Sequence, residues 1–327
     1  MDLRDRFGRL HDYLRISLTE RCNLRCFYCM PEDGILKRPR SEFMRIEEIL
    51  DIASTFVKMG VRKIRLTGGE PLVRKDAGKI LHGLGQLGVE LAITTNGILV
   101  DQYLEDFKSA GLRSVNLSLD SLNPQKQAAI SRRDYFDRIM KNIDLLNTPD
   151  FDLKINAVIM KGTNDDEVVS FVEWACEKDL HVRFIEFMPF DGNQWNWDKK
   201  VSASTMMAAV SDRFGESNIE KQEGRSHDTA INYKIKGQSG SFGMISPITN
   251  PFCDSCNRLR LTADGKLKNC LFSTAETDLL AVHRAGGQIE PMILDSIQSK
   301  EKARGGRVSF ESEGAQYQNR SMISIGG

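Results

Sequence analysis

The sequence predicts an α/β fold: a partial, TIM-like barrel of about six βα units with a C-terminal α+β extension. Three observations carry this expectation. Short apolar, β-branched runs alternate with helical patterns through the first ~190 residues. The count of such units falls two short of a closed eight-unit barrel. After Phe190 the alternation stops and a loop, a short helix and small antiparallel strands take over.

Taken in order, Tyr13–Leu18 reads as the first strand, followed by a cysteine-bearing loop and a helix over Arg45–Met59. Lys63–Leu66 is the second strand, ending in Thr67-Gly-Gly-Glu-Pro71, with a helix over Asp76–Leu87. Further strands fit Glu90–Thr94, Ser114–Leu119, Asp152–Val158 and His181–Phe187. Helical patterns at Gln102–Ala110, Tyr135–Leu146 and Glu167–Lys178 lie between them. Gly60 and Gly111 stand where helix C-caps belong. Strands alternating with helices imply right-handed crossovers and a parallel sheet. Beyond Phe190 come the loop Asp191–Trp197, a helix over Ser204–Phe214, strands at Ala230–Ile235 and Phe242–Ile245, a hairpin at Ala263-Asp-Gly265, and polar helices. The expected domains are 1–190, the partial barrel, and 191–327, the extension.

Composition narrows the function. Apolar residues make up 40% and charged residues 28%, and Lys+Arg balances Asp+Glu at 45 each. That balance leaves no electrostatic footprint for nucleic acid or an anionic membrane surface. No apolar run reaches the ~18 residues of a spanning helix, and the start resembles neither a signal nor a transit peptide, so a cytoplasmic location is expected.

Cysteine usage is the sharpest signal. The seven cysteines form two groups of three and one stray, Cys176, which reads as a buried helix cysteine. A long chain with no secretion signal points to reduced, metal-bound thiolates rather than a disulfide framework. His11, His82, His181, His227 and His283 all stand apart from the cysteine groups, which disfavours mixed Cys/His zinc sites.

Cys22, Cys26 and Cys29 have C-x3-C-x2-C spacing in the loop after the first strand. Three thiolates in one loop can hold three irons of a cubane cluster and leave the fourth iron open to a reactant. A zinc loop is the alternative. Cys253, Cys256 and Cys270 have C-x2-C-x13-C spacing, again without a fourth protein ligand nearby. Arg258 and Arg260 follow on alternate residues, so an extended strand projects both to one face. Two guanidiniums beside an open metal suggest a phosphorylated substrate.

The Cys22/Cys26/Cys29 loop and the Thr67-Gly-Gly-Glu-Pro71 turn resemble those of radical S-adenosylmethionine enzymes. The matches run from Asp12-Tyr-Leu-Arg-Ile-Ser-Leu18 through Phe252-Cys-Asp-Ser-Cys-Asn-Arg-Leu-Arg260 to Gly326-Gly327. Over that length the chain is similar to the GTP 3′,8-cyclase family of molybdenum-cofactor biosynthesis. The resemblance implies two 4Fe-4S clusters and S-adenosylmethionine as cofactors. A 5′-deoxyadenosyl radical would take the ribose C3′ hydrogen of GTP, and C3′ would then bond to C8 of guanine.

The same resemblance assigns residues. Arg15, Arg65, Thr94, Lys154, Arg258 and Arg260 match positions that contact GTP. Tyr28, Gly69, Ser118 and Met188 match positions around S-adenosylmethionine, and Gly326 and Gly327 match a tail that enters the active site. Implied partners are GTP, a flavodoxin- or ferredoxin-like reductant, the downstream cyclic pyranopterin monophosphate synthase, and a second copy of the chain. Two rival readings fit parts of this pattern: a peptide-modifying radical enzyme with an auxiliary cluster, which usually carries more C-terminal cysteines, and a non-enzymatic zinc protein.

Overall fold

Parallel strands β1 (Tyr13–Ser17), β2 (Lys63–Thr67), β3 (Glu90–Thr95), β4 (Ser114–Ser118), β5 (Asp152–Ile159) and β6 (His181–Glu186) lie side by side in chain order. The computed structural model describes residues 2–31, 34–35, 38–193, 195–307, 310 and 319–326. Parallel neighbours need crossovers, and helices supply them. These are α1 (Ile46–Lys58), α2 (Ala77–Gly85), α3 (Leu104–Ser109), α4 (Pro124–Ser131), α5 (Phe136–Leu146) and α6 (Val168–Lys178). In α1 the apolar residues Ile49, Ile52, Ala53 and Phe56 recur at helical spacing and are fully buried. Gly60 and Gly111 take positive φ just past α1 and α3, as their cap positions require.

The chain after residue 190 adds α7 (Ala203–Phe214), β7 (Ile219–Lys221), β8 (Ile231–Ile235), β9 (Ser241–Ile245), β10 (Arg258–Leu261), β11 (Lys266–Lys268) and β12 (Thr277–Asp278). Helices α8 (Leu279–Arg284), α9 (Glu290–Gln298) and α10 (Met322–Ile325) complete it. Among the described residues, one twelve-stranded open sheet has the order β12-β11-β10-β1-β2-β3-β4-β5-β6-β9-β8-β7. The expected antiparallel piece is present as β8 against β9, but β9 also pairs parallel with β6, and β10 pairs parallel with β1. Both edges of the parallel run are therefore covered by strands from the later part of the chain, which satisfies backbone groups that would otherwise be left open.

Alternation along the strands separates two environments. Leu14, Ile16, Ile64, Leu66, Ile93, Leu117, Ile155, Val182, Phe184, Leu259 and Leu261 join the main core with the helices. The residues between them are polar or cationic: Arg15, Arg65, Thr94, Asn116, Asn156, Arg183, Arg258 and Arg260. A sheet buried on both faces normally reads as continuous apolar runs. The alternation here reflects an inner face that lines a cavity instead of a packed core. A smaller cluster of Phe190, Ile248, Phe272, Phe310 and Ile325 closes one side, with Phe190 and Phe272 stacked at 6.2 Å. No described helix is long and apolar enough to cross a membrane.

Candidate active site

The cavity has a volume of about 320 Å³ and opens at the C-terminal ends of the parallel strands. Both cysteine triads reach it. The first sits in the loop after β1, which is pinned to the end of α4: Arg25 N–H donates to Ser131 O at 2.9 Å and Phe27 N–H to Ile130 O at 3.2 Å. Backbone N–H of Leu24 reaches Cys22 Sγ at 3.4 Å, and Asn96 Nδ2 approaches it at 3.8 Å. Burial, helped by Glu70, raises the Cys22 thiol to about 11. Burial also raises Cys29 to about 12, and lifts Cys26 well above its ordinary value, with neighbouring thiols and Asp120 adding to both.

Three mutually repelling buried thiols become thiolates only with a cationic centre between them, which is what an iron–sulfur cluster provides. No three His, Cys, Asp or Glu among the described residues close on a single-ion site. Three cluster irons, each bound by its own thiolate, do not require one.

The glycine turn after β2 packs flat on this loop. A Cβ at Gly69 would lie 2.3 Å from Arg21 O, and one at Gly68 would lie 2.6 Å from Thr19 O. Only glycine fits that approach. Gly69 N–H donates to Thr19 O at 2.7 Å, and Glu70 N–H to Arg21 O at 2.8 Å. The Glu70 carboxylate accepts from Leu72 N–H, Thr95 Oγ1 and Asn96 N–H, tying β2 to β3, yet burial still lifts it to about 7. Opposite, Tyr28 OH donates to Asp120 Oδ2 at 2.7 Å. Asp120 also accepts from Val158 N–H at 2.9 Å, and burial raises it to about 6.

The second triad has different surroundings. Cys253 and Cys256 precede β10 and Cys270 follows β11. Burial would raise Cys256, but the Arg258 and Lys300 charges outweigh it and bring the thiol down to about 6. Between the triads, Arg15, Arg183, Arg258 and Arg260 line the wall. Burial lowers Arg15 and Arg183 to about 10, and neighbouring cations add to this. Thr94 Oγ1 and Asn116 Oδ1 are buried in the same wall without a hydrogen-bond partner among the described residues. Such polar atoms are costly unless a ligand completes them.

The radical SAM superfamily model matches residues 16–175, and the Molybdenum Cofactor Synthesis C model matches residues 180–305. "GTP 3′,8-cyclase, mitochondrial" of Arabidopsis thaliana is 47% identical, the match covering 99% of this chain and 83% of that one. "GTP 3′,8-cyclase" of Peptoclostridium acidaminophilum is 41% identical over 99% of this chain and 98% of its own length. The chain belongs to the GTP 3′,8-cyclase family of radical SAM proteins. It spans about half the length of the animal and Dictyostelium relatives named molybdenum cofactor biosynthesis protein 1. Among solved structures, Streptococcus suis SuiB bound to precursor peptide SuiA has a TM-score of 0.65 at 16% identity, covering 98% of this chain and 72% of that one. That likeness bears on the fold alone.

Most residues singled out for this family gather on the cavity: both triads, Tyr28, Gly69, Ser118, Met188, Arg15, Thr94, Arg258 and Arg260. Arg65 and Lys154 do not reach its lining. Arg65 lies deeper, donating to Tyr13 OH and Ile93 O, each at 2.6 Å, and to Ser114 Oγ at 3.2 Å. Lys154 pairs with Asp152. Gly326 does not line the cavity, but its carbonyl accepts from the lining residue Arg260, at Nη1, at 2.8 Å; Gly327 lies outside the described residues. Upstream of it, Arg320 makes two 2.9 Å bonds to the Asp264 carboxylate and one of 2.7 Å to Glu276.

The sequence reading missed Arg183, Asn116 and Asp120. Arg183 stands between the buried Val182 and Phe184, the same strand-interior signal that marked Arg15. Cys176 is half-buried on α6, not fully buried as expected, and Trp195 donates its indole N–H to Phe187 O at 3.0 Å.

Proposed function

We propose that this chain cyclises GTP to (8S)-3′,8-cyclo-7,8-dihydroguanosine 5′-triphosphate, the first step of molybdenum cofactor biosynthesis. The single observation that carries the reading is two cysteine triads facing one cavity, with arginines on the wall between them. In this reading β1–β6 form an incomplete barrel of about six βα units within residues 1–190, and residues 191–327 form the extension that carries the second cluster.

Cys22, Cys26 and Cys29 hold one 4Fe-4S cluster and Cys253, Cys256 and Cys270 another. The group held by Cys22, Cys26 and Cys29 would, given one electron from a reductant, supply the chemistry that splits S-adenosylmethionine into methionine and the 5′-deoxyadenosyl radical that takes the C3′ hydrogen. Gly69 lets its turn's backbone approach the methionine moiety, and Tyr28, Ser118 and Met188 border the same cofactor. Arg15, Arg183, Arg258 and Arg260 grip the triphosphate and guanine, since guanidinium pairs with phosphate bidentately. Thr94 and Asn116 offer buried acceptors or donors to the nucleotide. Arg65 and Lys154 add positive potential from the same inner face, outside the cavity lining. Gly326 brings the C-terminal tail to the ends of β1 and β2, beside Arg260.

A flavodoxin- or ferredoxin-like reductant, cyclic pyranopterin monophosphate synthase downstream, a homodimer and a cytoplasmic location belong to the same reading. Anaerobic incubation with GTP, S-adenosylmethionine and dithionite, followed by mass spectrometry, tests it. The expected product is the cyclised nucleotide together with 5′-deoxyadenosine. Deoxyadenosine formed without any change in GTP would overturn the substrate assignment.

A further inference from the structure

Lys300 is 2% exposed, just past the end of α9. Lysines are almost never so buried without a countercharge. Its Nζ lies 3.1 Å from Arg258 O, 3.5 Å from His11 Nδ1 and 3.5 Å from Cys256 Sγ. Among the described residues, no carboxylate pairs with it. Asp5, the nearest acid in the network, accepts from Arg9 Nε at 2.6 Å and faces His11 Nε2 at 3.1 Å. The sulfur of Cys256 is thus the anionic partner within the ammonium's reach. Cys256 lines the cavity and Lys300 does not, so Lys300 comes to the sulfur from the protein side.

The geometry is held on every side. Ile293 and Ile297 anchor α9 in the core, and Asn269 Nδ2 donates to Ser296 O at 2.7 Å, joining the helix to the residue before Cys270. Arg9 Nη1 donates to Cys253 O at 2.8 Å and to Lys302 O at 2.7 Å, and Nη2 donates to Glu301 O at 2.9 Å. One buried network therefore grips the backbone of Cys253, the segment bearing Lys300 and, through Lys300, the sulfur of Cys256. Among the described residues, no lysine or arginine hydrogen-bonds to a sulfur of the first triad. Its nearby ionisable groups are Glu70 and Asp120, and Asn96 is a neutral donor to Cys22.

We propose that Lys300 is a positioning residue for the second triad, whose ammonium donates to Cys256 Sγ and sets the reduction potential of the centre bound there. The inference rests on the reading that Cys253, Cys256 and Cys270 hold a 4Fe-4S cluster. Reduction adds one negative charge to such a centre. A positive donor at its sulfur, in a site screened from water, favours the reduced form and raises the potential. The two centres would then differ by design of their surroundings: carboxyl groups beside the first, an ammonium behind the second.

The test isolates the second centre by replacing Cys22, Cys26 and Cys29 with Ala, and follows its reduction by EPR-monitored potentiometry. In that background Lys300→Met should shift the reduction equilibrium at least tenfold toward the oxidised form, about 59 mV for one electron. Lys300→Arg, which keeps a charged donor, should stay close to the parent. Iron per chain is measured in each. If the methionine variant loses its iron, Lys300→Gln, with a neutral donor of similar length, takes its place and should give a partial shift. An unchanged midpoint with iron retained overturns the role of Lys300. Absence of iron from the parent background instead overturns the second-cluster reading itself.

Discussion

Replacing Gly326 with Ala should cripple turnover while leaving the rest of the molecule intact, and the size of the effect follows from local geometry. Gly326 has φ +89, a conformation that costs an L-residue roughly 1–2 kcal/mol. The new Cβ would lie 2.6 Å from Thr67 Oγ1 and 3.0 Å from Ser17 Cβ. Neither neighbour can yield. Both are 1% exposed, and they pair across β1 and β2 at the strand ends. Overpacking of this kind costs about 1–3 kcal/mol. Together the terms reach about 2–5 kcal/mol, enough to move the tail end out of its seat.

Upstream, Arg320 bound to Asp264 and Glu276 holds the chain, and buried Ile323 and Ile325 resist wider release. The loss should therefore stay local. Product formation should fall by at least ~30-fold, the equivalent of about 2 kcal/mol. Iron content, S-adenosylmethionine cleavage and the global melting temperature should change little. Thr67→Ala in the same chain removes the nearest clash but neither the Ser17 contact nor the φ strain, so recovery should be partial. Single-turnover assays with product quantified by mass spectrometry read the effect. A Gly326→Ala enzyme that turns over at the parent rate refutes the idea that close approach of this residue matters.

Other consequences are as direct. Reconstituted protein should hold about eight irons, and replacing either cysteine triad with Ala should halve the iron, only the first triad abolishing cleavage of S-adenosylmethionine. Loss of all iron in either triple variant would refute two independent sites. Arg183→Met should weaken GTP binding by about 1.5–3 kcal/mol, roughly ten- to a hundredfold by calorimetry, since it removes a charge-assisted contact. Unchanged affinity would take Arg183 out of the substrate site.

Acid stability supplies another check. Hydrogen bonds from Arg284 and from Arg45 draw Glu48 from 4.5 down to about 2, against burial. Its folded value is depressed, so its stabilisation is full above about 4.5 and disappears as pH falls toward about 2. Arg284→Ala should therefore lower unfolding free energy at pH 7 by ~1–2 kcal/mol, discounted because Arg284 is 36% exposed, with the gap to the parent closing in acid. A gap that persists unchanged in acid assigns the loss to packing alone.

Much of this was legible in the chain because the periodicities are local. The spacing of Arg258 and Arg260 put both on one strand face, the triad spacings marked the cysteines, and Arg15 came from the family resemblance. What alternation cannot give is depth along a strand. Arg65 and Lys154 share the inner face, but Arg65 bonds Tyr13 and Ser114, the first residues of β1 and β4, at the end of the sheet away from the cysteine loop. Asn156, two residues beyond Lys154, does line the cavity. Helix α4 was missed because the polar Gln127 is among its buried residues, which leaves no clean apolar stripe. The pairing of β10 with β1 joins opposite ends of the sequence, and the reach of Lys300 to Cys256 spans 44 residues, so no local pattern encodes either.

Charge is distributed unevenly around the cavity, with consequences for the two ligands of the proposed reaction. The chain is neutral overall, yet its acids are not spread evenly through the interior. Asp264 is committed to Arg320 and Arg38, Glu48 to Arg284, and Asp5 to Arg9. Of the carboxyl groups that remain at the cavity, Glu70 and Asp120 lie on the side of the first triad. The guanidiniums of Arg258 and Arg260 lie beside the second triad, and that of Arg15 electrostatically couples to Arg258. Burial holds Glu70 near about 7 and Asp120 near about 6, so a cation arriving there would pull both toward the ionised form. A sulfonium cofactor gains by docking at that end, whereas a triphosphate placed there would meet two carboxyl groups and no guanidinium. In the proposed reaction, exchanging the two ligands would forfeit both sets of interactions, so this polarity favours one orientation of GTP relative to the radical source.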